Sequence, residues 1–575
     1  MSSRLRTQHV PRHRRAGVPS SRARLLQASV LMASGSVVSR LLGFVRNFMF
    51  GAILAGSMSA AANAFSAANT LPNTIWILVG GGTLNAILVP AIVRAVKRPD
   101  RGSDYISRLM TLVAAAALGL TALCMLAVPA LLVLTSGVLP PATYALAIQL
   151  GYWMMPQIFF SALYVMCGQL LNAHESFGPY QWAPVINNLV AIIGAGIFLG
   201  VWGTVGSPAD WTMTMVVAMA AINVGGSASQ VLFLFWYVKK LDLRLRPRWG
   251  FRGLGLGKLS RIGLWTLGML GLGQVGIWAS RWATNGAVRM TEQLRDQPDL
   301  AARYPALLTM EWAYLAFMLP QGIIAVTLVT AAFPAISHSA VDGDHRAALR
   351  RYGETNRLLA VPMVLCTVMF IALSGPIMWV IGGGTGEVAA RANGSVLVAY
   401  MLGLVPFASL YLIKRYFFAY EDARTPFLVQ IPIASITLLS VPVILNLVDP
   451  QWAAMAAAGS TSFGNLVAWA MGLWMLRRRA AALGVETPSQ RAGTIMLVKL
   501  GGAGVVSWLV GTLLVALADD LFWIHRGMAV LLGSVVGALM TVVFLAVAWV
   551  LRVDEVRWVV GMVQRKIGRG AGATS

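Results

Sequence analysis

Fourteen apolar stretches divide this 575-residue chain, near 27–55, 62–94, 108–135, 143–171, 182–203, 211–238, 262–289, 306–337, 358–382, 392–417, 426–448, 451–476, 494–518 and 527–551. Each matches or exceeds the roughly 20 residues that carry a helix across a hydrocarbon layer. A chain of this kind has no water at membrane depth to satisfy its backbone, so stretches of this length must be helices. Only 11% of the residues are charged and 57% are hydrophobic, whereas soluble domains average about 25% charged. With a mean hydropathy of +0.70, the chain is expected to be an all-α polytopic membrane protein.

The formal charge of +24 would fit a nucleic-acid partner if the basic residues formed one face. They do not: 37 of the 45 Lys and Arg fall in seven clusters that alternate with bare loops. That alternation is the positive-inside pattern, and it excludes nucleic acid while placing both termini in the cytoplasm. The chain then reads as a multi-pass membrane protein. Residues 1–26 form a basic cytoplasmic arm with the composition to touch anionic lipids. The longest outer stretch, Met290 to Pro305, mixes acids with Arg295 and Arg303 and reads as a solvated loop.

No catalytic motif, phosphate loop or metal-ligand spacing is present, so neither an enzyme nor a cofactor is expected. Cys124, Cys167 and Cys366 are isolated in apolar segments and read as small core residues. Transport energy would then come from an ion gradient or, more directly, the membrane potential.

The basic loop 239–261 splits the chain into halves, 27–238 (spans 1–6) and 262–476 (spans 7–12), followed by spans 13–14 in 477–551 and a basic cytoplasmic tail, 552–575. Ser39-Arg40 in the first span recurs as Ser280-Arg281 in the seventh, and Leu71-Pro72-Asn73 in the second as Leu319-Pro320-Gln321 in the eighth. Two pseudo-symmetric six-helix lobes with two added helices are therefore expected.

Arg40, Arg46 and Arg281 carry the chemistry. An Arg at the centre of a span costs about 2.5–3.5 kcal/mol and rarely faces lipid. Arg40 and Arg46 lie about 120° and about 9 Å apart on an ideal helix, so both can border one wide cavity. Glu311 is the nearest acid at comparable depth. An excess of buried cations points to an anionic ligand, since Arg suits bidentate contact with phosphate oxygens. Gly43, Pro72, Gly80, Gly81, Gly82 and Pro320 are the candidate hinge positions, because Pro and Gly interrupt or soften a helix.

The run Ser36-Val37-Val38-Ser39-Arg40-Leu41-Leu42-Gly43-Phe44-Val45-Arg46 leads to Asn63-Ala64-Phe65 and Leu71-Pro72-Asn73. Later come Gly80-Gly81-Gly82 ahead of Val89-Pro90, Leu319-Pro320-Gln321-Gly322 and Arg415-Tyr416-Phe417-Phe418-Ala419-Tyr420-Glu421-Asp422-Ala423-Arg424-Thr425-Pro426. Together these resemble the MurJ/MviN lipid II flippases of the MOP exporter superfamily. The resemblance implies a V-shaped bundle whose basic central cavity carries lipid II outward by alternating access. It places Arg40 and Arg46 in that cavity with Asn63 and Asn73 nearby, and gives the last two spans the lipid-tail groove. Cell-wall synthesis or division proteins are the implied partners.

The sequence departs from the family pattern at several points. Asn63 stands where the family has an acid, Trp76 and Ile77 replace an expected basic residue, no acid lies near Gly81, and Leu315 replaces a cavity arginine for which Arg281 would compensate. A transport-inactive scaffold for cell-wall enzymes, or a polysaccharide or drug exporter on the same fold, are the alternatives.

Overall fold

The computed structural model describes residues 21–79, 92, 95, 102–174, 176–243, 245–250, 261–485 and 490–557. Helices make up most of the described residues of every apolar stretch, with short breaks inside several of them. In chain order these are α1 (Ser21–Ile53), α2 (Ala60–Val79), α3 (Ser103–Leu126, resumed as Val128–Ser136), α4 (Pro141–Ala173), α5 (Phe177–Trp202) and α6 (Met213–Lys239). Then follow α7 (Arg261–Ala283, resumed as Asn285–Gln293), α8 (Leu307–Val341), α9 (His345–Ala372, resumed as Ser374–Ile381) and α10 (Glu387–Met401 with Leu404–Ala419). The last four are α11 (Arg424–Leu447), α12 (Ala453–Ala482), α13 (Gln490–Leu517) and α14 (Arg526–Val550).

Nine of these are long and apolar enough to cross a membrane as single helices among the described residues, and α10 qualifies as a pair bent by 41°. Protein buries only 22–56% of their apolar windows. The remaining surface, with residues such as Leu126, Ile197, Leu439 and Val542 exposed, is suited to lipid and not to water.

Local chemistry sets the ends and breaks. Thr212 accepts from the Met215 amide, Asp344 from Ala347 and His525 from Met528, so each satisfies a donor that the helix start leaves free. Pro129 follows the break in α3 at Ala127, where a residue without an amide proton fits the first turn of a new helix. Pro320 sits in the middle of α8, and the turn after it, Gln321–Ala325, widens into a π-helix. Proline removes one i to i−4 bond and crowds the preceding carbonyl, and the π turn absorbs both effects.

Packing within each half pairs helices that are mostly not neighbours in the chain. In the first, α1 runs along α5, α5 along α6 and α2 along α4; in the second, α7 packs on α11, and α12 on α10 and α11. The pair α13–α14 lies against α9. The inter-lobe segment 245–250 does not hang free: the amides of Arg246 and Arg248 donate to Ser107 and Thr111 of α3 at 3.2 and 3.0 Å, and Arg248 pairs with Asp104.

Met290 to Pro305 is solvated over 295–300, which are exposed, but is not a plain loop throughout. Its first residues continue α7, Pro298–Ala301 forms a short helix, Thr291 is buried, and Glu292 engages α4. Mixed charge concealed these contacts, because their partners lie in the other half of the chain. Gly80, Gly81 and Gly82 lie outside the described residues.

Candidate functional site

The halves meet at the end of the bundle away from the Lys and Arg clusters, here called the outer end. Every described hydrogen bond between the helices of the two halves joins residues there. Asn63 donates through Nδ2 to Thr291 Oγ1 at 3.2 Å and accepts from the Leu307 amide at 3.0 Å. Asn393 donates to Ser57 Oγ at 2.9 Å and accepts from Thr309 at 2.8 Å. Thr143 donates to Glu292 Oε2 through its amide at 3.1 Å and its hydroxyl at 2.5 Å. That carboxylate caps the start of α4, where the helix presents free amides and a positive partial charge.

The central element of the closure is a buried ion pair. Arg281 of α7, 4% exposed, donates from Nη1 to Glu311 Oε1 of α8 at 3.0 Å. Its other nitrogens reach the first half, Nη2 to Ser66 Oγ at 3.2 Å and Nε to Ser136 Oγ at 3.4 Å. Ser66 and Thr70 of α2 in turn donate to Glu311 Oε1 at 2.5 and 2.9 Å. The second half thus supplies both charges and the first half supplies only hydroxyls. Separating the halves strips hydroxyl contacts from the pair and leaves no charge on the first half unpaired.

Two sequence expectations change here. Arg281 is not a free cavity cation, because Glu311 neutralises it. Asn63 is fully buried, and its amide joins the halves instead of facing a ligand.

Arg40 and Arg46 differ from Arg281. Arg40 is exposed and Arg46 half-buried, and among the described residues neither has a salt-bridge partner. Arg46 donates only to its neighbour Asn47, at 3.5 Å, and its Nε has no acceptor. Arg40 lies eleven residues before Gly51, about 17 Å inward of the outer closure along the helix. Asn73 is exposed in α2 ten residues inward of Asn63. The three residues therefore stand on the inner side of the contact that seals the halves.

Arg40 also reaches the second half. Its guanidinium lies over Gly322 in the π turn of α8, where a Cβ would stand 2.7 Å from Nη2 and 3.0 Å from Cζ. A side chain at this position would push the flexible guanidinium aside. Gly322 is thus a site residue that sequence reasoning passed over, although it adjoins the buried Pro320. Of the other hinge candidates, Pro72 is buried within α2, and Gly43 lies 3.9 Å by its Cβ position from Asn188 Nδ2 of α5, an ordinary packing contact.

One turn beyond Arg40, Phe44 opens onto an apolar groove of about 460 Å³ between α1, α8, α9 and α14. Leu319, Phe370, Ile377, Val530 and Gly537 are among its walls. Cationic side chains and an apolar groove thus adjoin, an arrangement that fits an amphiphile with an anionic head and a hydrocarbon tail.

Comparison with known proteins converges on one family. The family model described as lipid II flippase MurJ matches residues 52–562. A probable lipid II flippase MurJ from Synechocystis sp. is 24% identical over 496 residues, 85% of this chain and 88% of that one. The lipid II flippase MurJ of Burkholderia cenocepacia is 25% identical, over 72% of this chain and 77% of its own. Among solved structures, a lipid II flippase MurJ in an inward closed conformation aligns with a TM-score of 0.67 at 18% identity, covering 90% of this chain and 98% of that one. An inward-facing MATE-family multidrug resistance transporter of the MOP superfamily aligns with a TM-score of 0.62 at 15% identity, covering 79% and 99%. These alignments place the helical bundle in the MOP architecture, and with the family match they establish that the chain belongs to the lipid II flippase MurJ family.

Proposed function

We propose that the protein carries lipid II, the lipid-linked peptidoglycan precursor, from the inner to the outer leaflet of a bacterial plasma membrane by alternating access. Both termini face the cytoplasm in this reading, and the two six-helix lobes rock about the cavity between them. Arg40 and Arg46 hold the anionic headgroup linkage. The groove beside Phe44 takes the hydrocarbon tail, which stays in an apolar path while the head crosses. Arg281 and Glu311 close the outer end.

The observation that carries the proposal is the pair of arginines at span depth, neither with a salt-bridge partner among the described residues, on the inner side of a sealed outer end. Arg46 is half-buried with no acceptor for its Nε, a cost at span depth that a bound phosphate relieves through charge-assisted bonds.

Depleting the host's own lipid II flippase and supplying this chain tests the proposal. Restored growth together with precursor exposure at the outer leaflet is expected. A chain that binds cell-wall enzymes but exposes no precursor would replace the proposal with the scaffold reading.

A further inference from the structure

Where the end of α1 meets the loop between α9 and α10, backbone lies on backbone with no side chain between. A Cβ on Gly51 would stand 2.5 Å from Gly383 O, 2.7 Å from Trp312 Cη2 and 2.9 Å from Gly383 N. A Cβ on Gly383 would overlap the Phe48 carbonyl oxygen and stand 2.9 Å from Ala52 N. Gly384, with φ at +70°, would place one 2.8 Å from both Gly51 O and Gly56 N. Real Cβ atoms do not approach other atoms within 3.0 Å, so no larger residue fits while the halves touch here.

The loop is held from outside by the tip of the α13–α14 hairpin. Arg526 donates to three of its carbonyls, from Nε to Trp379 at 3.2 Å and from Nη2 to Gly382 at 3.3 Å and Thr385 at 3.1 Å. The same guanidinium lies 5.0 Å from the Phe48 ring of α1 and 5.3 Å from the Trp379 ring. A second fastening joins Arg391 of α10 to Asp519 at 2.5 Å, with Trp523 beneath the guanidinium at 4.7 Å. A planar fork meets several carbonyls while lying flat on rings, which an ammonium cannot do.

We propose that the contact of Gly51 with Gly383 and Gly384 is a steric latch for the outer-closed state, and that Arg526 is its positioning residue. The C-terminal hairpin then sets how readily the outer end opens. The role of the latch in transport rests on the alternating-access reading, whereas the latch itself needs only that the halves part.

Single-cysteine labelling tests it in the full-length chain, with Cys124, Cys167 and Cys366 replaced and Ser57→Cys as reporter. Ser57 is 1% exposed and bonded to Asn393 of the opposite half. Gly51→Ala and Gly383→Ala, made on opposite sides of the contact, should each raise labelling by a membrane-impermeant maleimide from outside on the order of tenfold per molecule. Arg526→Ala should do the same and Arg526→Lys should fall between. Gly386→Ala, where a Cβ meets nothing within 4 Å, should leave labelling unchanged. Unaltered labelling per molecule in both glycine variants, whether membrane abundance is normal or reduced, overturns the latch. The readout uses no lipid substrate, so it succeeds or fails independently of whether lipid II is the cargo.

Discussion

Glu311→Gln removes the negative member of the buried pair and keeps its shape. Arg281, at 4% exposure, then keeps only neutral neighbours, the new amide oxygen and the Ser66 and Ser136 hydroxyls, and an uncompensated buried charge of this kind costs about 3–5 kcal/mol. The reverse change, Arg281→Leu, is milder. The Glu311 side chain is 30% exposed and keeps the Ser66 and Thr70 donors, so a loss of about 1–2 kcal/mol is expected, near that of one charged hydrogen bond. Combining the two removes both charges, and the double variant should be no less stable than Glu311→Gln alone. The double-mutant cycle should give a coupling of about 1–3 kcal/mol. Thermal unfolding of the four purified proteins in one detergent, followed by tryptophan fluorescence, reads it. Losses that add within about 0.5 kcal/mol would show that Arg281 and Glu311 do not act as a pair, and the account of the outer closure would fail.

Gly322→Val should displace the Arg40 guanidinium and reduce complementation nearly as far as Arg40→Ala, with normal membrane abundance by immunoblot; full activity would remove the π turn from the site. Arg40→Ala should abolish complementation, and Arg40→Lys should restore only part of it because the amine lacks the bidentate fork; equal loss of abundance in both would make Arg40 structural. Glu292→Ala should weaken the outer closure by about 0.5–2 kcal/mol, the range of a lost helix cap, seen as higher outside labelling of Ser57→Cys. For topology, cysteines at positions 208 and 297 should label from outside and those at 102, 248 and 484 should not; outside labelling at 248 would break the division into halves.

The helices were legible because a span must be long and continuously apolar, and that requirement is local. Arg40 and Arg46 stand out in the sequence for a related reason, since a charge at depth contrasts with its own helix, and their role in holding a ligand is the proposal made above. The pairing of Arg281 was not. Glu311 was visible as an acid, but Ser66, Thr70 and Ser136, which complete the network, carry no signal until the fold brings two halves together. Asn63 was set near the cavity by the family resemblance alone, and burial against Thr291 and Leu307 gives its amide a different set of partners. Gly322, Gly51 and Gly383 escaped notice because a glycine at a close approach resembles any other glycine until the opposing backbone is known.

The central claim is that the chain moves lipid II with two unpaired arginines and the membrane potential. Moving one charge across 100 mV is worth about 2.3 kcal/mol, a bias of roughly fifty-fold between two states. The direct measurement is translocation of labelled lipid II in vesicles containing the purified protein, with the potential and the pH gradient set independently. Translocation should proceed with a potential alone, stop when the potential is collapsed at constant pH, persist when only the pH gradient is removed, and be absent with Arg40→Ala. No translocation under any gradient, or equal translocation by Arg40→Ala, would contradict the account.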